Sequence, residues 1–274
     1  MIDTSSTVFL TRPGGRVAYD VAGDGPLVIL VPGVGDLRSS YRFVTPSLRE
    51  AGYRVACTDM RGHGESDTTF ASYGDEDTAE DITALISEIG GPAVVVGNSM
   101  GGGAAVIAAA EHPELVRGIV LIGPFVRNPP AQSDAGENQD APVIDADWWK
   151  PYLTSLYVGR HPDDFDEYVD AVVGNLRRPG YSEVLATLLT TLDHSQAERR
   201  LSRVTAPTLV VMGEHDPDFA NAVAEAKWIA AALHGEAAVV PDAGHYPQSQ
   251  QPERTTEAVL TFLKSLDEWD STSP

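Results

Sequence analysis

The stretch "VVVGNSMGGGAAV", residues 94 to 106, constrains this chain more than any other. A β-branched run ends at Gly97, Ser99 stands between Gly97 and Gly101, and alanines follow. The first part predicts a strand and the last a helix, so the chain must turn sharply between them. Such a turn holds the serine in a strained backbone conformation, and glycines on either side avoid the clashes that side chains would bring. Gly-x-Ser-x-Gly alone is a weak pattern. Between a strand and a helix it marks an exposed nucleophilic serine, with the helix N-terminus aimed at any negative charge that forms there. No lysine follows the glycines, which argues against a phosphate loop.

The same stretch raises one other possibility. From Ala93 to Ala110 no residue is charged, which is long enough for a membrane helix. Asn98, Ser99 and the glycines interrupt it, and a strand, turn and helix account for it better. The N-terminal "MIDTSSTVFLTRPGG" lacks a basic start followed by an apolar block, so no signal peptide is expected. Cys57 is the single cysteine, and nothing calls for an oxidising compartment. It lies in the apolar "YRVACTD" and reads as a small core residue. The expectation is a soluble cytoplasmic protein.

Around this turn, short apolar runs alternate with amphipathic stretches. "TVFLT" and "RVAYDVAG" form a hairpin around "PGG", and "LVILV", "YRVACTD", "AVVVG", "GIVLIG", "APTLVVMG" and "EAAVV" are further strands. Helices are predicted from about Tyr41 to Ala51, over "DEDTAEDITALISEIG", "MGGGAAVIAAAEH", Asn221 to Leu233 and "PERTTEAVLTFLKSL". Strands without alternation imply burial on both faces. The fold class is therefore α/β, a mostly parallel sheet flanked by helices. Between Val126 and about Thr205 no strand is evident. A polar loop, "NPPAQSDAGENQDAP", leads into several helical stretches. This divides the chain into a core, 1–125 and 206–274, and a helical insertion, 126–205.

Acidic residues outnumber basic ones by 40 to 19, a formal charge of -21. Such a surface repels phosphate backbones, so nucleic acid is not an expected partner.

A nucleophilic serine needs a base, and the base needs an orienting acid. Seven histidines compete. His63 lies in the glycine-rich "DMRGHGESD", a loop read as structural, with polar groups capping neighbouring backbone. His112 ends a helix, His161 and His194 fall in the insertion, His234 follows a helix, and His215 adjoins Asp216 and would point elsewhere. His245, in "PDAGHYPQSQQPE", follows the last strand, at the carboxyl end of the sheet where Ser99 also emerges. "VVMGEHDPDF" supplies the acid from another loop at that end: Asp216 is chosen, with Asp218 and Glu214 as alternatives that spacing cannot separate.

With these residues placed, the chain resembles the cap-bearing α/β-hydrolases. "LVILVPGVGD", "DMRGHGESD", "GNSMGG", "GEHDPD" and "AGHYPQSQQPE" occur in the family's order, and the insertion occupies the usual cap position. The resemblance implies an α/β-hydrolase fold and a serine hydrolase with the triad Ser99, Asp216, His245, needing no metal or cofactor. It also implies an oxyanion hole built from the N–H groups of Met100 and Val34. Many relatives carry His-Gly where this chain has Pro32-Gly33, but proline need not be the donor.

The expected reaction is hydrolysis of a carboxylic ester or lactone of a small to medium apolar molecule. Phe125, Trp148, Trp149, Tyr152 and Tyr246 are candidates to line the substrate pocket, although packing accounts for any single one of them. The resemblance leaves other readings: a C–C bond hydrolase of dienoic ketones, a cofactor-free perhydrolase or haloperoxidase, or a small-molecule receptor on the same fold. Against the first, the early loop is "PGVGD" rather than glycines after a histidine, and Tyr246 stands where that subgroup tends to have tryptophan.

Overall fold

Eight strands form one sheet in the computed structural model, which describes residues 6–129 and 143–272. The hairpin β1 (Val8–Arg12) and β2 (Gly15–Ala22) pairs antiparallel, and β2 continues antiparallel onto β4 (Arg54–Thr58). From β4 across β3 (Leu27–Val31), β5 (Ala93–Asn98), β6 (Val116–Ile122), β7 (Thr208–Gly213) and β8 (Glu236–Val240) all pairings are parallel. The central strands β3, β5 and β7 are buried along their whole length, as their unbroken apolar runs require. The edge strand β8 departs from this: Glu236, Ala237 and Val239 are exposed, because nothing pairs with its outer side among the described residues.

Alternate residues feed two cores. Ile29, Val31, Val95, Ile119, Leu121 and Met212 face helices α2 (Asp75–Ile89), α3 (Met100–Glu111) and α8 (Ala222–Ala232). Val28, Leu30, Val94, Val96, Val120 and Val211 face α1 (Val44–Glu50) and the closing helix α9 (Pro252–Thr272). The helix expected from Tyr41 to Ala51 is split into a 3-10 turn, Arg38–Tyr41, and α1. Pro46 sits in the first turn of α1, where its missing N–H costs no helical bond.

Between β6 and β7 lie α4 (Ala146–Ser155), α5 (Phe165–Leu176), α6 (Tyr181–Thr191) and α7 (Ser195–Glu198). The side chain of Asp145 caps α4, accepting from the N–H groups of Asp147 and Trp148. Most of the polar loop expected before these helices, residues 130–142, lies outside the described residues, as do residues 1–5 of the N-terminal stretch. Among the described residues no helix is long and apolar enough to cross a membrane.

The register brings the carboxyl ends of the strands level. Val31 lies opposite Gly97, Asn98 opposite Ile122, Ile122 opposite Val211, and Gly213 opposite Val240. The loops that leave β3, β5, β6, β7 and β8 therefore meet at one edge of the sheet.

Candidate active site

Ser99 follows β5 directly and precedes α3, with φ 56° and ψ −123°, a conformation that favours glycine. Backbone bonds hold it there. Its N–H donates to Ile122 O at 2.9 Å, and its carbonyl accepts from Gly102 N at 2.9 Å and Phe125 N at 3.2 Å. The flanking glycines are required by close approach. A Cβ on Gly97 would stand 2.1 Å from Gly101 O, and one on Gly101 would stand 2.7 Å from the carbonyl oxygens of Val31 and Pro32. The turn thus rests directly on the end of β3.

That contact places the loop after β3 beside the serine. A Cβ on Gly33 would lie 3.2 Å from Ser99 Oγ. Gly33 and Asp36 close a turn, with Asp36 N–H donating to Gly33 O at 3.3 Å. Among the described residues, the N–H groups of Val34 and Met100 have no acceptor in the protein.

His245 and Asp216 come from the loops after β8 and β7. Nδ1 of His245 lies 2.8 Å from Asp216 Oδ2, and both side chains are buried. Because Nδ1 faces a carboxylate it carries a proton, which leaves Nε2 as the basic nitrogen. Asp218, an alternative acid, stands further off: its Oδ2 is 3.5 Å from Nδ1, and its Oδ1 accepts from Tyr152 OH at 3.1 Å. The other, Glu214, is half exposed and lies 3.7 Å from His215 Nε2. Burial works against a charged His245, but the Asp216 carboxylate, with Asp218 and Asp36 also near, outweighs it and lifts the imidazole to about 9. The potential ligand atoms of Asp216, Asp218 and His245 lie within 4.8 Å of one another, the one such group among the described residues.

Several side chains that the sequence did not single out hold this arrangement. Asn98 Nδ2 donates to Ile122 O at 2.9 Å and to His245 O at 3.3 Å, tying the serine turn to the histidine loop. His245 N–H donates to Leu156 O at 2.9 Å, just beyond α4. Gln250 accepts from Gly244 N and donates to the carbonyls of Val158 and Arg160. A second buried pair, His194 Nδ1 and Asp75 Oδ2 at 2.9 Å, joins the segment after α6 to the start of α2. The only signal for it was the histidine itself, because the two partners lie 119 positions apart.

The aromatic candidates separate into different roles. Phe125 stacks on His194 and on Phe219 at centroid distances of 5.2 and 5.1 Å, and its ring centre is 6.1 Å from that of His245. Trp148 is partly buried and stacks on Tyr152. Trp149 is buried, with Nε1–H donating to Gly35 O at 3.1 Å. Tyr246 is buried and stacked on Tyr157. His63 caps backbone, as its loop suggested. Its Nδ1–H donates to Arg61 O at 2.8 Å and its Nε2 accepts from Gly35 N at 2.9 Å. Burial pushes it down to about 4, so it stays neutral. Burial likewise pushes the Cys57 thiol up to about 12, as befits an inert core residue.

A model of the alpha/beta hydrolase family matches residues 28–258. The 2-(acetamidomethylene)succinate hydrolase of Mesorhizobium japonicum is 30% identical over 279 residues, covering 95% of this chain and 98% of its own. A pimeloyl-(acyl-carrier protein) methyl ester esterase of Neisseria meningitidis is 30% identical over 197 residues, 69% of this chain and 75% of its own. Among solved structures, a bromoperoxidase from Bacillus anthracis superposes with a TM-score of 0.79 at 20% identity, covering 94% of this chain and 100% of that one.

Proposed function

The chain belongs to the alpha/beta hydrolase family, and from that premise we propose that it is a serine hydrolase cleaving a carboxylic ester or lactone of a small to medium apolar molecule. One observation carries the reading. A serine held at positive φ between strand and helix shares its end of the sheet with a buried His245–Asp216 pair at 2.8 Å. Backbone strain persists where the surroundings over-determine it, and a nucleophile is the ready reason here.

On this reading His245 Nε2 takes the proton from Ser99 Oγ as the oxygen attacks the substrate carbonyl. The N–H groups of Val34 and Met100, which lack protein acceptors, receive the oxyanion. The tetrahedral adduct collapses, the proton on Nε2 passes to the departing alkoxide, and an acyl-enzyme remains. Water then attacks the acyl carbon as His245 takes its proton, and His245 passes that proton to Ser99 Oγ as the acid is released. Asp216 holds the imidazole tautomer and stabilises the imidazolium. In a lactone the departing alkoxide stays attached, and the same steps open the ring. Helices α4 to α7 form a helical cap over the core, and Phe125, Trp148 and Tyr152 supply apolar wall. The proposed setting is the cytoplasm, with a small molecule as the partner.

Intact mass and peptide mapping after treatment with a fluorophosphonate test the assignment, with Ser99→Ala as control. One adduct on Ser99 is expected. A folded protein that takes no label overturns the reading and turns attention to a receptor role. Unlabelled enzyme is then assayed on p-nitrophenyl esters, methyl esters, lactones and dienoic ketones. The Mesorhizobium relative, which spans nearly the whole chain, is named for an acetamido compound, so 2-(acetamidomethylene)succinate joins that panel.

A further inference from the structure

We propose that His63 and Trp149 are positioning residues for the oxyanion hole. Between them they fix the peptide units around Val34, and Trp149 makes that fixing depend on the seat of the cap. This rests on the serine-hydrolase reading above.

Three consecutive peptide units run from Gly33 to Asp36, and each is held by a bond. The first contains the Val34 N–H itself. Its carbonyl, Gly33 O, accepts from Asp36 N at 3.3 Å. The second ends in the Gly35 N–H, which donates to His63 Nε2 at 2.9 Å. The third begins with the Gly35 carbonyl, which accepts from Trp149 Nε1–H at 3.1 Å. A planar peptide held at one end is held at the other, so these bonds together aim the free N–H of Val34. Adding a Cβ to Gly35 would bring it within 2.3 Å of the Trp149 ring, so indole and loop are in full contact.

The two side chains differ in origin. His63 belongs to the core loop after β4, and its Nδ1–H is committed to Arg61 O at 2.8 Å, leaving Nε2 free to accept. Trp149 belongs to α4, in the proposed cap. A second bond joins the cap to the same loop: Tyr168 on α5 donates its hydroxyl to Asp36 Oδ1. When the cap is seated the third peptide unit is clamped. When it lifts, the Gly35 carbonyl loses its partner and the donor's orientation is released. Misplacing a reacting group by about 1 Å can cost on the order of a hundredfold in rate, so the coupling links cap closure to turnover.

The test uses the full-length protein and two readouts: the second-order rate of fluorophosphonate labelling at Ser99, and kcat and KM for p-nitrophenyl butyrate. Phosphonylation places negative charge where the substrate oxyanion forms, so its rate reads the hole directly. Trp149→Phe removes the N–H together with the part of the indole ring that meets Gly35, and KM with melting temperature separates the two losses. It is expected to label about ten- to a hundredfold more slowly, with kcat falling by a similar factor and KM within about twofold. His63→Ala should behave likewise, and His63→Gln, whose amide oxygen can accept from Gly35 N–H, should recover most of the rate. A merely structural role would lower the melting temperature and raise KM together and would leave Gln no better than Ala. Trp149→Phe labelling at the wild-type rate overturns the cap coupling, and equal rates for His63→Ala and wild type overturn the clamp. If wild-type protein takes no label at Ser99, the hydrolase reading fails first and this inference falls with it.

Discussion

Asp218 Oδ2 stands 3.5 Å from His245 Nδ1, behind the 2.8 Å contact that Asp216 makes with the same nitrogen. The imidazole therefore carries two carboxylates on one side, and the outer one is tethered to the proposed cap through Tyr152 OH. Two nearby negative charges favour the imidazolium more than one does. Below about pH 9 they favour the protonated form, which cannot act as a base.

This geometry sets the pH profile. A general base works only when neutral, and His245 is lifted to about 9. The acid limb of kcat/KM for a p-nitrophenyl ester is therefore expected near pH 9, with activity still rising above neutrality. Asp218→Asn removes one of the charges while its amide oxygen can still accept from Tyr152. The limb should move to lower pH, and activity at pH 7 should increase. A limb that stays where it was would show that Asp218 does not act on the imidazole.

Asp216→Asn should behave in the opposite way. An amide nitrogen facing Nδ1 favours the wrong tautomer, and in the serine-protease template the equivalent change costs about 10⁴ in turnover. A loss on that order is expected at pH 7 for Asp216→Asn, measured side by side with Asp218→Asn. If Asp218→Asn proves the crippling change, the two carboxylates have been assigned the wrong way round.

The strain at Ser99 can be measured apart from its chemistry. Ala at φ 56° and ψ −123° keeps the strain of the native residue, whereas glycine does not. Glycine also gives the unfolded chain more freedom, a cost of about 0.5–1 kcal/mol against a relief of about 1–3 kcal/mol. Relief wins, so Ser99→Gly should be more stable than Ser99→Ala by about 1 kcal/mol, or about 2–4 °C in Tm for a chain of this size. Both variants should be inactive. Equal melting temperatures would mean that the turn is not strained in solution.

What the sequence made legible follows from how local each signal is. Ser99 was readable because its glycines, its strand and its helix are contiguous. His245 and Asp216 were readable because a parallel sheet sends the loops that leave its strands to one edge, so a histidine and an acid after late strands share that edge. The bond between Trp149 and Gly35 spans 114 positions. Whether that tryptophan lines the pocket or grips the loop depends on how α4 sits on the core, which no spacing encodes. Asn98 was passed over for another reason. It is adjacent to Ser99 and within a recognised motif, yet its partners, the carbonyls of Ile122 and His245, are backbone atoms with no residue-type signature.

Asp36 offers the last test, because its carboxylate is fully buried beside the loop that carries Val34. Oδ1 accepts from Leu37 N and Tyr168 OH, while Oδ2 has no partner among the described residues. Burial outweighs those bonds and pushes the group up to about 6 from an ordinary value of 3.8. Between those two pH values the folded protein holds a proton that the unfolded chain has released, so stability falls as pH rises through the window and stays lower above it. Asn keeps the acceptor at Oδ1 and carries no charge. Asp36→Asn should match wild type near pH 4 and exceed it above pH 6 by on the order of 1–3 kcal/mol, several degrees in Tm. Asp36 is also among the groups that raise His245, so the acid limb of the variant should shift to lower pH. A stability difference that does not change between pH 4 and 8 would mean that the carboxylate is solvated in the folded protein, with water reaching the oxygen that has no protein partner.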